Sequence, residues 1–367
     1  MNPVDTLARL LRPAGGGIHL VSTGKAEQLA LQRRLYGASS EAEVQARWRA
    51  DLAAIRSARG VLLGIPSDVG AGFERGANLG PSAIRARLLA DDPGRRARAR
   101  AAGLVDLGDV RVVPQLLHDE MLSEAQLAAT RAALHPDLPP DVRAALPVSP
   151  LSVAERALAL VLAENPRVKV FALGGDHSTA WPVVKALAGA RPGLGIVQID
   201  AHTDLLAERL GVRYCFGTWS YHANDLVGRG GRLVQVGTRA SGRDRAHWES
   251  TLGVRQFWAA DVARDPAAAL DAIVGHVKAT GVSEVYFSND IDGTDAAFAD
   301  ATGTPEPAGL EPAFVSALVA RLGGEVGLAG GDVMEVAPHV VRSAGGGERT
   351  VALAARYLAE TIDAALG

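Results

Sequence analysis

Four segments of this 367-residue chain end in acidic and imidazole side chains. "GGDHS" carries Asp176 and His177, and "VQIDAHTDLL" carries Asp200, His202 and Asp204. "SNDIDGTD" carries Asp290, Asp292 and Asp295, and "GGDVMEVAP" carries Asp332 and Glu335. Each group closes an apolar run of buried-strand type, where an ionised carboxylate is costly unless it is paired. One such end alone reads as an acidic loop. Four brought to one edge cannot all ionise without cations, because close carboxylates oppose one another's ionisation. Two divalent ions would balance Asp200, Asp204, Asp290 and Asp292. The set is oxygen-rich, includes imidazole and has no thiolate. That suits Mn²⁺, with Ni²⁺, Fe²⁺ or Co²⁺ as alternatives, better than structural zinc.

The elements that must gather these ends are also legible. Apolar runs at 60–68, 168–176, 194–202, 232–239, 284–292 and 325–338 are continuous rather than alternating, as in strands covered on both faces of a parallel sheet. Helical patterns lie between most of them, including "GPSAIRARLLA", "SVAERALALVLAE", "PAAALDAIVGHVKATG", "EPAFVSALVARLG" and "TVALAARYLAETIDAAL". The expected fold is α/β, a three-layer α/β/α sandwich around a mostly parallel sheet, with its site at the carboxyl ends of the strands. Residues 1–56 are polar and helical in pattern, with no strand run, and read as an N-terminal extension. The remainder, 57–367, reads as one catalytic domain with a Pro- and Ala-rich insertion at about 114–150.

Composition narrows the classes. Hydrophobic residues make up 48% and charged residues 22%, with a net charge of −3, so no basic face points to nucleic acid. No apolar stretch is long enough to span a bilayer, and the N-terminus lacks the pattern of a secretory signal. The single cysteine, Cys215, allows no intrachain disulfide, and the expected location is the cytoplasm.

The motifs "GGDHS", "DAHTD", "SNDIDGTD", "TGTPEPAGL" (302–310) and "DVMEVAP" together resemble the ureohydrolase family of arginases, agmatinases, guanidino-acid hydrolases and formimidoylglutamases. "GIPSDVGAGFERGANLGPSAIR" (64–85) resembles that family's first strand, loop and helix. The resemblance runs from about Gly60 to the C-terminus and is nearest the agmatinase-like guanidino hydrolase branch. It implies an eight-stranded sheet and a binuclear centre. One metal would be held by His177, Asp200, Asp204 and Asp290, and the other by Asp200, His202, Asp290 and Asp292, with Asp200 and Asp290 bridging. Asp176, Ser178 and Asp295 would support the ligands, and Glu335 would pair with the substrate's guanidinium. The implied chemistry is attack by a metal-bridging hydroxide on a guanidino carbon, releasing urea and an amine. The implied assembly is a homo-oligomer, a trimer or hexamer.

The loop after "DAHTD" departs from this pattern. Arginases and agmatinases carry a proton-shuttling His before a Gly there, and "RYCFGTW" has Phe216 before Gly217. Formimidoylglutamases also lack that His, which keeps a formimino substrate and formamide release as an alternative. A metal-binding pseudoenzyme is another. Tyr214, Cys215, Tyr221 and His222 are nearby polar candidates for the shuttle, with His222 first because imidazole titrates near neutral pH. Arg213, Arg239 and Arg243 are candidates to clamp a substrate carboxylate, and the bulky "CFGTW" loop is expected to narrow the pocket.

Overall fold

The computed structural model describes residues 2–367. Among them, strands β1 (Leu11–Arg12), β2 (Gly60–Gly64), β3 (Leu104–Val110), β4 (Lys169–Leu173), β5 (Leu194–Ile199), β6 (Leu233–Val236), β7 (Arg255–Phe257), β8 (Glu284–Asn289) and β9 (Leu328–Val333) form one sheet. Their order is β1-β3-β2-β4-β9-β8-β5-β6-β7. Strands β2 to β9 are parallel, as expected, and β1 adds a short antiparallel edge on β3.

Successive strand side chains feed opposite faces. Val61, Leu63, Val170, Ala172 and Ile196 enter one core layer. Leu62, Phe171, Leu173, Val197 and Ile199 enter the other. Helices Pro150–Glu164 and Ala180–Ala190 cover the first layer, and Pro312–Glu325 and Gly346–Leu366 the second. Each fully buried Val, Leu, Ile or Phe among them contributes about 1.5–3 kcal/mol. No helix among the described residues is long and apolar enough to cross a membrane.

Three strands, β1, β3 and β7, lie outside the expected runs. In β3 the sequence "LVDLGDV" hides its apolar character behind Asp106 and Asp109. Both are paired with the buried Arg85, which donates to Asp106 at 3.0 and 3.1 Å and pairs with Asp109. Strand β7 has only three residues.

The N-terminal segment is part of the same body and contains a strand, contrary to its polar pattern. Helix α1 (Pro3–Leu10) leads into β1, which pairs Leu11 with Val110 and Arg12 with Asp109. Helices α2 (Lys25–Tyr36) and α3 (Glu41–Ala53) follow, and Trp48 of α3 donates from Nε1 to the Leu107 carbonyl at 2.8 Å. Asp109 fastens the intervening loop by accepting from the amides of Gly15 and Gly17, at 2.8 and 3.3 Å. The 114–150 insertion carries two short helices, Glu124–Leu134 and Pro140–Ala144.

Candidate metal centre

Strands β4, β9, β8 and β5 are consecutive neighbours at the middle of the sheet. Parallel register pairs Leu173 with Val333 and Ile199 with Asn289, so all four strands end at one edge. His177 leaves β4 in a tight turn whose cap is Asp176, accepting from the Ser178 amide at 2.9 Å. Asp290 caps a similar turn after β8, accepting from the Asp292 amide at 2.9 Å. Asp200, His202 and Asp204 follow β5, and Glu335 follows β9.

These side chains converge in two groups that share Asp200. His177, Asp200 and Asp290 form one, and Asp200, His202 and Asp292 the other, each with three candidate ligand atoms within 4.8 Å of one another. His177 Nδ1 lies 3.0 Å from Asp290 Oδ2, 3.3 Å from Asp200 Oδ2 and 3.5 Å from Asp204 Oδ2. His202 Nδ1 lies 3.2 Å from Asp292 Oδ2 and 3.5 Å from Asp200 Oδ1. The two oxygens of Asp200 therefore face different histidines. Glu335 is buried beside them, accepting from the His177 amide at 2.9 Å. Asp204 and Glu335 both adopt left-handed backbone, with φ of 51° and 62°. Non-glycine residues pay about 1–3 kcal/mol for that conformation, and such strain gathers at functional sites.

A buried polar scaffold aims the candidate ligand atoms. His177 Nε2 sits 3.0 Å from the Ser288 hydroxyl, which donates to Asp332 Oδ1 at 3.0 Å. With its one proton given to Asp332, Ser288 accepts from Nε2–H, so Nδ1 is the nitrogen that could give a lone pair to a bound cation. Trp219 stacks on the His177 ring at 4.5 Å and donates from Nε1 to Asp204 Oδ2 at 3.0 Å. Gln198, Gln235 and Gln256, in register on β5, β6 and β7, form an amide ladder. Its links are 2.8 Å each, and Gln198 passes it to Asp200 Oδ2 at 2.7 Å. Sequence reasoning missed Ser288, Trp219 and the glutamines. The available signal was a glutamine inside each of three strands, "VQID", "VQVG" and "RQFW".

The electrostatics are those of a site short of positive charge. Burial, followed by the neighbouring carboxylates, pushes Asp290 and Glu335 well above the usual carboxylate range, and burial with Asp200 does so for Asp204. Burial also raises Asp332 to about 6. Burial opposes ionisation of Asp200 too, but His177 and His202 outweigh it and hold this carboxylate low. His202 is likewise driven up to about 12, against its burial, by Asp200 and Asp292. Oxygen and imidazole donors at these distances fit divalent cations, whose charge would relieve the crowding.

The remaining expected residues are placed as follows. Asp176 Oδ2 accepts from the Gly70 amide at 3.0 Å, tying the 68–72 loop to the strand ends, and Ser178 is buried next to it. Asp295 closes the loop to Gly309, accepting from its amide at 2.8 Å. The "TGTPEP" stretch supplies Thr304, which donates to Asp292 Oδ2 at 3.1 Å. His222 is not brought to the cluster. Its Nε2 lies 3.1 Å from the Arg213 carbonyl and its ring packs against Trp181, Tyr214 and Tyr221. Cys215 is buried, and burial pushes its thiol up. Phe216 lines a cleft of about 530 Å³ together with Phe73, Met121, Leu210 and Arg209, whose guanidinium lies 5.0 Å from the Phe216 ring. Trp219 is buried against His177 and does not line that cleft, so of the bulky loop only Cys215 and Phe216 face it.

Of the expected clamps, Arg239 is spent on backbone carbonyls, among them Asp292, Glu306 and Pro307 at 2.7, 2.8 and 2.9 Å. Arg213 pairs with Glu120 at 3.7 Å. Arg209 makes no ion pair among the described residues and was not singled out from the sequence.

Known proteins resemble this chain in sequence and in fold. The chain is 28% identical to a guanidinobutyrase of Pseudomonas aeruginosa, over 75% of this chain and 78% of the relative. It is 32% identical to an N(1)-aminopropylagmatine ureohydrolase of Thermus thermophilus, over 77% of this chain and 84% of the relative. The solved proclavaminate amidinohydrolase of Streptomyces clavuligerus superposes with a TM-score of 0.63 at 27% identity, covering 84% of this chain and 92% of that one. With residues 58–363 matching the model of the arginase family, the chain belongs to that family and is a hydrolase acting on amidino compounds.

Proposed function

We propose that the chain is a binuclear-metal amidinohydrolase that cleaves a guanidino compound to urea and an amine. The observation that carries this reading is Asp200, whose two carboxylate oxygens face His177 and His202 in two adjoining ligand groups. His177, Asp200, Asp204 and Asp290 would hold one ion, and Asp200, His202, Asp290 and Asp292 the other. When bound, a pair of Mn²⁺ or Ni²⁺ ions supplies Lewis acidity and a water that loses its proton near neutral pH. Glu335 holds the guanidinium over the centre, and the strand ends exclude bulk water from the reacting carbon.

The exposed Arg209 beside Phe216, at a cleft joined to the strand ends through the Gly70 loop, would favour a guanidino acid over agmatine as substrate. A guanidinium there would take the substrate's carboxylate, and the Phe216 wall would take its methylene chain. Assembly into trimers or hexamers and a cytoplasmic location belong to the same reading.

The test is a panel of guanidino acids, agmatine and formimino compounds, with urea, formamide and ammonia measured separately on Mn²⁺- and Ni²⁺-loaded protein. Urea from a guanidino acid, lost on chelation, is expected. Formamide as the product would shift the assignment to a formimidoylglutamase, the reading that Phe216 keeps open. Metal-replete protein that turns over nothing in the panel would make it a pseudoenzyme.

A further inference from the structure

At the opposite edge of the sheet from β7, four arginines converge on one cavity. Arg9 of α1, Arg12 of β1, Arg49 of α3 and Arg111, just past β3, line a space of about 370 Å³ with His135 and Asp5. The N-terminal segment and the 114–150 insertion meet there, and neither contributes a ligand to the metal centre.

The charges do not balance. Arg9 is paired with Asp137 at 2.8 Å and Arg49 with Asp5 at 3.3 Å. Arg12 and Arg111 have no carboxylate partner among the described residues. Each spends one nitrogen on backbone carbonyls, Arg12 Nη1 on Leu11 at 2.7 Å and Arg9 at 3.4 Å and Arg111 Nη1 on Leu134 at 3.1 Å, and their other nitrogens have no protein acceptor among the described residues. Guanidinium groups stay protonated in proteins, so these two cannot escape by neutralising. Their mutual cost shows in Arg12, which burial and then Arg111 pull down to about 10. His135 is buried at the same wall and is depressed to about 4 by burial, then by Arg111, Arg9 and Arg12.

We propose that this cavity is a binding site for a small phosphorylated metabolite carrying several negative charges, separate from the metal centre. Planar guanidinium forks match phosphoryl oxygens, and the volume fits a small molecule rather than a polymer backbone. A single carboxylate would leave one of the unpaired guanidiniums uncompensated. Occupation would also clamp α1, β1, α3 and the insertion together, raising the stability of that edge.

Pyrophosphate is the probe, with binding read by calorimetry and by thermal unfolding of the full chain at fixed ionic strength. Saturable binding is expected, accompanied by a rise in Tm. Arg12→Gln and Arg111→Gln should each weaken it at least tenfold. Arg49→Gln, at an exposed position that leaves packing intact, should weaken it several-fold and keep the proposal testable if the half-buried variants fail to fold. Arg356→Gln, elsewhere on the surface, should leave it unchanged. Pyrophosphate also chelates metals, so Asp200→Asn serves as the locating control. Binding kept in Asp200→Asn and lost in the arginine variants supports the cavity. Binding lost in Asp200→Asn and kept in the arginine variants overturns it. So does an absence of saturable binding, or an arginine variant that changes only the oligomeric mass.

Discussion

His177 and Ser288 are joined through the imidazole Nε2, 3.0 Å from the hydroxyl, on the side of the ring away from the carboxylates. Ser288 in turn rests on Asp332 at 3.0 and 3.1 Å. This contact decides which nitrogen carries the proton, and hence whether Nδ1 can serve as a ligand. Ser288→Ala removes it with little change in volume. Metal affinity should fall about 10–100-fold, as is usual when the partner of a ligating histidine is lost. Metal titration of the purified variant measures this, and Ser288→Thr should restore most of the affinity. Unchanged affinity in Ser288→Ala would mean that packing against Trp219 alone orients the ring.

Glu335→Gln keeps an oxygen for the His177 amide, so the fold should survive. It removes the negative charge from the buried site that, on the proposed reading, receives the substrate's cation. The expected loss in kcat/KM is about 10²-fold or more, corresponding to about 3 kcal/mol of transition-state stabilisation. Steady-state kinetics with the preferred substrate test this, and a change confined to less than fivefold would remove Glu335 from the substrate's path.

Arg85 stands between Asp106 and Asp109 with only 3% of its side chain exposed. Arg85→Met leaves Asp109 buried without its counter-charge, and Asp109 is what fastens the Gly15–Gly17 loop. Breaking a buried pair in this way costs about 3–5 kcal/mol. Urea unfolding should show a matching drop in midpoint, and the N-terminal segment should become the first site of proteolysis.

His135 supplies a pH test remote from the metal centre. Burial first, then Arg111, Arg9 and Arg12, depress its pKa to about 4, with Asp137 opposing weakly. In the unfolded chain it takes up a proton near the ordinary value of about 6.5. The unfolded state therefore binds more protons between these two values. Stability contributed by the neutral ring is present above pH 6.5 and is lost as pH falls toward 4. The wild type should lose more Tm over that window than His135→Gln, and parallel curves for the two proteins would contradict the assignment.

Much of the site was legible because its residues stand at strand ends. Asp200, His202, Asp204, Asp290 and Asp292 each interrupt an apolar run, and such interruptions are visible in one dimension. The parts that stayed hidden are those whose role depends on register or on a distant partner. Gln198 becomes meaningful only when β5, β6 and β7 align it with Gln235 and Gln256. Strand β3 reads as polar until Arg85, from a helix about twenty residues upstream, neutralises Asp106. Strand β1 is two residues long and offers no periodicity at all. His222 illustrates the reverse error. Its proximity in sequence to the ligand loop suggested a shuttle, but its ring is held among Trp181, Tyr214 and Tyr221, with Nε2 against a backbone carbonyl.

The left-handed backbone at Asp204 and Glu335 carries an implication for how this protein can be improved or damaged. Glycine adopts that conformation without steric penalty, so replacing Glu335 by glycine would relieve strain and remove a buried acid at once. On the proposed reading of Glu335, selection for heat tolerance alone would set sturdiness against turnover at this position, offset by the acceptor that the His177 amide would lose. A screen that ranks variants by melting temperature should include an activity gate here, or it will enrich for the loss of the catalyst.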